Sequence, residues 1–172
     1  MGKRTRIIND PSELIALLRI FGSKHHKKVF DVLSGEWKTI EELSNMSENN
    51  VAESLSLLKK SGLVESKWRI PKPGRTPDKE YHTSYSKVHL NFQCSIEDLS
   101  DLILLTFRTE QEIRDTMIRL EKEVKSGNQS MNGLCRVFDR SPVFIKGIAR
   151  RSPNLNVKGQ RIEWSGEKEQ EN

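Results

Sequence analysis

Lysines and arginines are closely spaced towards the end of the N-terminal half, at Lys59, Lys60, Lys67, Arg69, Lys72, Arg75 and Lys79. Cations at this density can bind the phosphate oxygens of a nucleic acid. The whole chain holds 29 lysines and arginines against 24 aspartates and glutamates, a net charge of +5. This excess is compatible with a nucleic-acid partner, but it is also common among proteins that have none. The predicted structure of the segments that carry the cations must therefore distinguish a nucleic-acid-binding protein from a basic protein without such a partner.

Other chemically reactive residues are sparse. The chain has 2 cysteines, Cys94 and Cys135, too few for a disulfide framework. On a strand, His89 and Cys94 would lie on opposite faces, and the adjacent His25 and His26 diverge on a helix. We therefore expect no metal site, which needs three or four converging ligands. Both cysteines are interpreted as small buried side chains, with a redox switch as the alternative.

Neither a catalytic motif nor a membrane segment is found in the sequence. There is no phosphate-binding glycine loop, no catalytic carboxylate pair and no Ser/His/Asp or Cys/His arrangement, so we expect no enzymatic activity and no cofactor. The longest apolar run, LILLTF, is far shorter than the roughly 18 residues that span a bilayer. The N-terminus MGKRTRIIND lacks the apolar core of a signal peptide. We predict a cytoplasmic protein with no membrane partner.

Helices are predicted on the N-terminal side of the cations. DPSELIALLRIF and SKHHKKVFDVLSG each begin with a capping residue and carry an apolar stripe. Thr39 and Glu42 have the spacing of a capping box, which predicts a short helix. After a tight turn, Ser47 can cap another helix that ends at Gly62. Its buried face would hold Val51, Leu55 and Leu58.

Beyond Gly62 the pattern changes to that of strands. LVESKWRI and EYHTSY alternate, and the proline-rich PKPGRTPDK between them predicts a hairpin with a basic tip. A bulge or a third short strand follows around Val88, Leu90 and Phe92. Capped helix, turn, capped helix and hairpin is the order of a winged helix-turn-helix, a mainly α fold with a small β-hairpin wing. Its last helix can enter a major groove while the hairpin cations reach phosphates.

The segments LSNMSENNVAESLSLLKKSGLVESKWRI and GRTPDKEYHTSY resemble the ArsR-like winged-helix transcription regulators, and more closely their archaeal members. The resemblance covers about Ser12 to Ser95. It implies a homodimer that binds double-stranded operator DNA and regulates transcription, with a contact to the transcription machinery as a further partner.

The resemblance also implies which residues contact DNA. The groove-facing positions would be Ser47, Glu48, Asn49, Asn50, Glu53 and Ser54. Thr39 would approach a phosphate at its helix N-terminus. Asparagine can bind adenine through two hydrogen bonds, whereas Glu48 and Glu53 would repel phosphates. Affinity is therefore expected to come from Lys59, Lys60 and the hairpin cations.

A long helix is predicted over 96–128. Apolar residues three and four apart form a heptad seam at Leu99, Ile103, Ile113, Met117, Leu120 and Val124, interrupted by Thr106 and Glu110. The seam could pack on its own domain, but its length favours a helix from a second subunit. We therefore expect a Leu120→Asp variant to be monomeric.

The C-terminal part, 129–165, is predicted to contain a helix, a turn, a helix and a small hairpin. Lys146, Arg150 and Arg151 could form a second surface on flanking DNA. Docking of a ligand or partner, or support of the dimer, are equally open alternatives. The predicted organisation is a basic, poorly ordered arm (1–10), a winged helix (11–95), the dimerisation helix (96–128), this subdomain and a disordered tail (166–172).

Two classes of function fit these patterns. The favoured one is a dimeric, sequence-specific DNA-binding transcription regulator. The alternative is a winged-helix module for protein–protein interaction in a larger assembly, in which the hairpin cations would be incidental. The loss of DNA binding with added salt distinguishes the two.

Overall fold

The computed structural model describes residues 4–46, 50–71 and 76–166. Within these residues the chain forms eight helices and seven strands, and no helix there is both long and apolar enough to cross a membrane. The elements group into two compact units. Unit 1 contains the described part of Met1–Ile8 and Leu17–Leu90, and unit 2 contains Asn9–Ala16 and the described part of Asn91–Asn172.

Unit 1 is a winged helix. Its elements in chain order are β1 (Thr5–Ile8), the end of α1 (Glu13–Gly22), α2 (Lys24–Gly35), β2 (Lys38–Thr39), α3 (Ile40–Ser44), α4 (Val51–Lys60), β3 (Val64–Trp68), β4 (Lys79–Thr83) and β5 (Lys87–Leu90). Strands β2, β4 and β3 form an antiparallel sheet in that order, whose β3–β4 hairpin is the wing. The predicted fold class, mainly α with a small β wing, is confirmed.

Apolar residues at helical spacing hold the helices of unit 1 together. Val29 and Leu33 of α2, Leu43 of α3, and Leu55 and Leu58 of α4 are all buried. Helix α4 packs on both α2 and α3. Burial of these side chains fixes which face of α4 is left for solvent.

Local capping chemistry sets the helix boundaries in unit 1. The predicted capping box is present: the Glu42 amide donates to Thr39 Oγ1, and the Thr39 amide donates to the Glu42 carboxylate. Asn50 caps α4, accepting from the amide of Glu53 at 3.3 Å. Ser47, the predicted cap, lies outside the described residues. Gly62 follows α4 with φ of +68°, a conformation that glycine adopts without steric cost.

The predicted basic arm over 1–10 contains a strand. β1 pairs with β5 in parallel along its whole length, Ile8 is fully buried, and the Arg6 guanidinium donates to the carbonyl of Ser61. The expectation of a poorly ordered arm is therefore wrong for Thr5–Ile8, because the sequence pattern did not reveal its distant partner strand. β5 corresponds to the third short strand, one of the two alternatives for that segment.

Unit 2 is helical, with a small hairpin. Its elements after the start of α1 are α5 (Ile96–Phe107), α6 (Glu110–Lys125), α7 (Met131–Phe138), α8 (Pro142–Arg151), β6 (Leu155–Lys158) and β7 (Arg161–Trp164). The two helices and the hairpin expected between 129 and 165 are present. Residues 167–172 of the predicted tail lie outside the described residues.

The single long helix predicted over 96–128 is two helices, α5 and α6. Arg108 has an extended backbone, with φ of −62° and ψ of 140°. Thr109 caps α6 and forms a reciprocal capping box with Glu112. A capping box satisfies the amides at a helix start, so Thr109 begins a new helix where the heptad pattern predicts continuation.

Arg151, at the end of α8, binds both sides of this break. Its Nη1 donates to the carbonyl oxygens of Leu105 and Arg108, at 2.7 and 2.6 Å. Its Nη2 donates to the carboxylate of Glu110, at 2.8 Å. The last carbonyls of a helix have no partner within that helix, so Arg151 supplies partners where α5 ends and α6 begins.

Most of the predicted dimer seam lies inside unit 2. Its α6 members are buried in the core or packed against it: Ile113, Met117, Leu120 and Val124. They are covered because α6 packs on α8 and β7 of the same chain. The prediction that these four residues meet a second subunit is therefore corrected. Leu99 and Ile103 of α5 differ, since both are partly exposed.

One hydrophobic core joins the segments 96–128 and 129–165. It contains Leu102 and Leu105 of α5, Leu134 of α7, and Ile145 and Ile148 of α8. Gly147 lets α8 approach closely, because a Cβ there would lie 2.7 Å from a Leu105 methyl. The two segments, expected to be separate parts, therefore fold as one unit.

Candidate nucleic-acid interface

Helix α4 has one buried and one exposed face. Its buried residues, Val51, Ser54, Leu55 and Leu58, follow the i, i+3, i+4 and i+7 spacing. The exposed residues of this helix are Ala52, Glu53, Ser56, Lys59 and Lys60. The exposed face therefore extends to the C-terminal turn and becomes basic there.

Ser54, predicted to face a groove, lies on the buried side. Its side chain is fully buried, and its Oγ lies 2.8 Å from Nδ1 of His26 in α2. Burial lowers the pKa of His26 below its ordinary value, so the neutral ring is favoured in this contact. The groove-facing prediction for Ser54 is corrected, because the residue is one helical turn from Val51 on the same stripe.

Asn50 is exposed but already has a role in capping. Its Oδ1 holds the first turn of α4, and its carbonyl oxygen lies 3.3 Å from Nε2 of His25. A contact from Asn50 Oδ1 to a base would therefore compete with the cap. The neighbouring predicted contacts, Ser47, Glu48 and Asn49, lie outside the described residues.

Thr39 is buried, with its hydroxyl and amide both used in the capping box. The Glu42 carboxylate occupies the site at the start of α3 where a phosphate was expected. An anion at a helix N-terminus is stabilised by the helix dipole. A phosphate contact at Thr39 would have to displace this carboxylate, so the predicted role of Thr39 is not supported by its geometry.

Arg69, predicted to bind phosphate, instead ties the wing to α3. Its guanidinium donates to both carboxylate oxygens of Glu42, at 2.7 and 2.9 Å, and its Nε donates to Glu80 at 2.6 Å. These hydrogen bonds lower the pKa of Glu42 to about 2 and hold the pKa of Glu80 below its ordinary value. Arg69 is therefore a structural residue of the wing.

Replacing Arg69 with glutamine is expected to destabilise unit 1 by about 2 kcal/mol at pH 7, because charge-assisted hydrogen bonds to Glu42 and Glu80 are lost. The folded-state pKa of Glu42 is depressed. The stabilisation is thus complete above the unfolded pKa and is lost as the pH falls toward 2. Thermal melts between pH 7 and pH 3 should show the difference from wild type shrinking below about pH 4.5.

Arg4→Gln is the matched control for this change. Arg4 forms one exposed ion pair with Glu65, at 3.0 Å, and exposed pairs contribute about 0–1 kcal/mol. The assigned role of Arg69 would be contradicted if Arg69→Gln lost no more stability than Arg4→Gln. A loss of stability that does not depend on pH would contradict it as well.

The remaining wing cations lie over aromatic rings. Lys67 Nζ is 4.0 Å from the centre of the Trp37 ring, and it also lies 3.4 Å from the carboxylate of Glu80. Lys79 Nζ is 4.9 Å from the Trp68 ring. All these lysines are exposed, so their ammonium groups can reach a ligand. Lys72 and Arg75 lie outside the described residues.

The predicted basic surface in the C-terminal part does not form. The Lys146 ammonium binds the Asp10 carboxylate at 2.7 Å, and Arg150 donates to the Ser12 hydroxyl at 2.8 Å. The Arg151 side chain is 2% exposed. The assignment of a second DNA contact to Lys146, Arg150 and Arg151 is corrected, because partners in their own unit hold these cations.

Sequence reasoning missed Ala52 and Ser56 on the exposed face of α4. Both lie between positions of the buried stripe, so extending the helical period through Leu58 would have indicated them. It also missed the exposure of Trp68 and Ile70 on the wing, 64% and 89%. The alternation of LVESKWRI places Trp68 on one face of the strand but does not show that this end of the wing is exposed.

No group of three or more metal-ligating side chains is found in the ranges 4–46, 50–71 and 76–166. Both cysteines are free and partly buried, and burial raises the pKa of the Cys135 thiol. A raised pKa keeps this thiol protonated and less nucleophilic at neutral pH.

The comparisons with known proteins agree with the winged-helix geometry. A family model described as ArsR transcriptional regulator matches residues 8–166, which include both units. No curated protein matches the chain.

Proposed function

The chain belongs to the ArsR transcriptional regulator family, and we propose that it acts as a homodimer, with α4 in the major groove of double-stranded DNA and the wing on flanking phosphates. A helix that leaves one polar face exposed can enter a groove about 12 Å wide. Cations on a neighbouring hairpin can then neutralise backbone charge.

The observation that supports this proposal best is the position of the cations around α4. Lys59, in the last turn of α4, lies over the ring of Tyr81 in β4, with Nζ 5.7 Å from the ring centre. The exposed lysines of the helix are therefore continuous with those of the wing. Glu53 is the acidic residue of the exposed α4 face, which favours a helix that selects sequence while the lysines supply affinity.

The proposed dimer contact is the outer face of α5. The exposed apolar residues Ile96, Leu99, Ile103 and Phe107 recur at i, i+3, i+7 and i+11, so they share one side of the helix. The opposite side holds the buried Leu102 and Leu105. Removal of such a stripe from water favours association, and a second copy offers an identical stripe.

The salt dependence of DNA binding tests the proposed contacts. A duplex selected from random DNA by the purified protein should bind more weakly as salt rises, with a log–log slope of about 0.9 per phosphate contact. Lys59→Ala combined with Lys79→Ala should reduce that slope by about four contacts, two from each protomer of the dimer, measured by electrophoretic mobility shift at several salt concentrations.

Arg136→Ala is the control, since this arginine is exposed on α7 in unit 2 and is not one of the proposed DNA contacts. It should leave the slope unchanged. A wild-type protein that selects no duplex would refute the proposed function and favour the protein–protein module. Equal slopes for the wild type and the double lysine variant would refute the wing contact alone.

A further inference from the structure

The wing exposes two large apolar side chains next to its cations. Trp68 at the end of β3 is 64% exposed, and Ile70 just beyond it is 89% exposed. Trp68 and Ile70 are two positions apart in the sequence, and burial of their apolar area in a complex would be favourable.

The strand register places Trp68 on the side of the wing next to the end of α4. Trp68 pairs with Lys79 across the hairpin, and Ser66 pairs with Tyr81. Directly paired residues share a face, as do alternate residues of one strand. Trp68, Lys79 and Tyr81 therefore lie on one face, and Tyr81 lies under Lys59 of α4.

The other face of the wing is used for attachment within unit 1. Lys67 lies over Trp37, and Arg69 binds Glu42 of α3. Near its base, the Trp68 face is also packed, since Tyr81 is buried. Trp68 lies beyond that packed region, so its ring can contact a ligand without disturbing the attachment of the wing.

The cations around Trp68 favour a nucleic acid over a protein as the occupant. Lysine is depleted in protein–protein interfaces, yet Lys79 lies over the Trp68 ring and Lys59 lies on the same face. A nucleic acid offers a partner of each kind, phosphates for the lysines and base faces for the indole.

On the basis of the proposed function, we propose that Trp68 and Ile70 act as an apolar wedge that enters the minor groove beside the α4 contact and partly unstacks one base step. Apolar side chains inserted in this way bend a duplex by roughly 20–90°. Lys79 leaves the indole ring and binds a phosphate at the rim of the groove. The wedge adds specificity for a flexible pyrimidine–purine step, which is easily unstacked.

The test compares Trp68→Ala with the wild-type full chain on a duplex of about 30 base pairs recovered by wild-type selection. Bending is measured by energy transfer between dyes at the two duplex ends, and affinity by mobility shift. Trp68→Ala should bind the duplex about 10-fold more weakly and should no longer bend it. The salt dependence of its binding should differ from that of the wild type by less than one phosphate contact.

Two matched variants separate the wedge from the charges around it. Lys79→Ala should lower the salt slope by about two phosphate contacts, one from each protomer, and keep the bend. Trp68→Phe should retain most of the bend, because an aromatic ring still enters the step. Exchange of the flexible step for a stiff A-tract should weaken the wild type and leave Trp68→Ala unchanged.

Several results would overturn the wedge. If Trp68→Ala binds and bends the duplex as the wild type does, DNA binding does not depend on the wedge. Dissociation of a wild-type dimer by Trp68→Ala, seen by light scattering, would make the patch a contact between copies. Failure of the wild type to bind any duplex would instead remove the proposed function itself. Ile70→Ala, also on an exposed residue, provides a second variant if Trp68→Ala does not fold.

Discussion

Replacing Leu120 with aspartate is expected to unfold unit 2 rather than to yield a folded monomer. Leu120 is 1% exposed and lies in the core with Ile113 and Val124. Truncation of a buried leucine alone costs about 2–5 kcal/mol, and a carboxylate in the cavity adds the cost of burying an unpaired charge. The loss is comparable with the total stability of a typical domain, about 5–15 kcal/mol.

The measurement is hydrogen exchange read by mass spectrometry on α5 to α8 peptides. Leu120→Asp should remove protection throughout these peptides. Ile118→Asp is the matched control, because Ile118 is on the same helix and is exposed, so its protection should stay close to wild type. If Leu120→Asp is a folded monomer with wild-type protection, the result would support the heptad seam as the dimer contact and contradict the burial of Leu120 in the core of unit 2.

Ile103→Asp separates dimerisation from folding. Ile103 is 45% exposed on the outer face of α5, so a carboxylate there remains solvated in the protomer but would be buried in the proposed dimer. We expect full protection in unit 2 together with loss of the dimer in light scattering. An unchanged dimer would refute the proposed α5 interface.

Replacing Arg151 with methionine is expected to destabilise unit 2 by about 2–4 kcal/mol, because two backbone carbonyls lose a charged donor while the exposed Glu110 carboxylate stays solvated. Methionine keeps much of the side-chain volume but has no donor for the carbonyls of Leu105 and Arg108 or for the Glu110 carboxylate. A buried carbonyl that loses its partner costs about 1–3 kcal/mol by itself. The same exchange experiment should show the earliest loss of protection at the end of α5.

Arg136→Met is the control, an exposed arginine in the same unit whose change should stay within about 0.5 kcal/mol. Arg151→Lys should recover only part of the stability, because an ammonium cannot reproduce the planar fork that reaches both sides of the break. Stability near that of wild type in Arg151→Met would contradict the role of Arg151 in holding the α5–α6 junction.

Local chemistry made several elements predictable. The capping box of Thr39 and Glu42 and the left-handed Gly62 both depend on residues within a few positions, so spacing alone identifies them. The apolar stripe of α4 and the alternation on the wing were likewise sufficient to predict the winged helix. The inward orientation of Ser54 was missed because a small polar residue on a buried stripe is compatible with either face.

Long-range partners explain the other errors. In the sequence, Arg69 and Arg151 cannot be distinguished from arginines that bind DNA. Their structural role follows only from their contacts with Glu42, Glu80 and Glu110. The heptad spacing across 96–128 predicts one helix, but the capping box at Thr109 begins a second helix within it. Once α6 begins afresh there, its apolar face is covered by α8.

The sequence by itself determined the winged-helix order, the helix caps and the presence of a cation-rich hairpin, because periodicity and capping are properties of neighbouring residues. Only the tertiary structure decided which cations are available for a ligand, which seam residues are buried, and that Trp68 is exposed. Those outcomes depend on which distant groups meet, and an ion pair or a covered face leaves no signal in the local spacing of either partner.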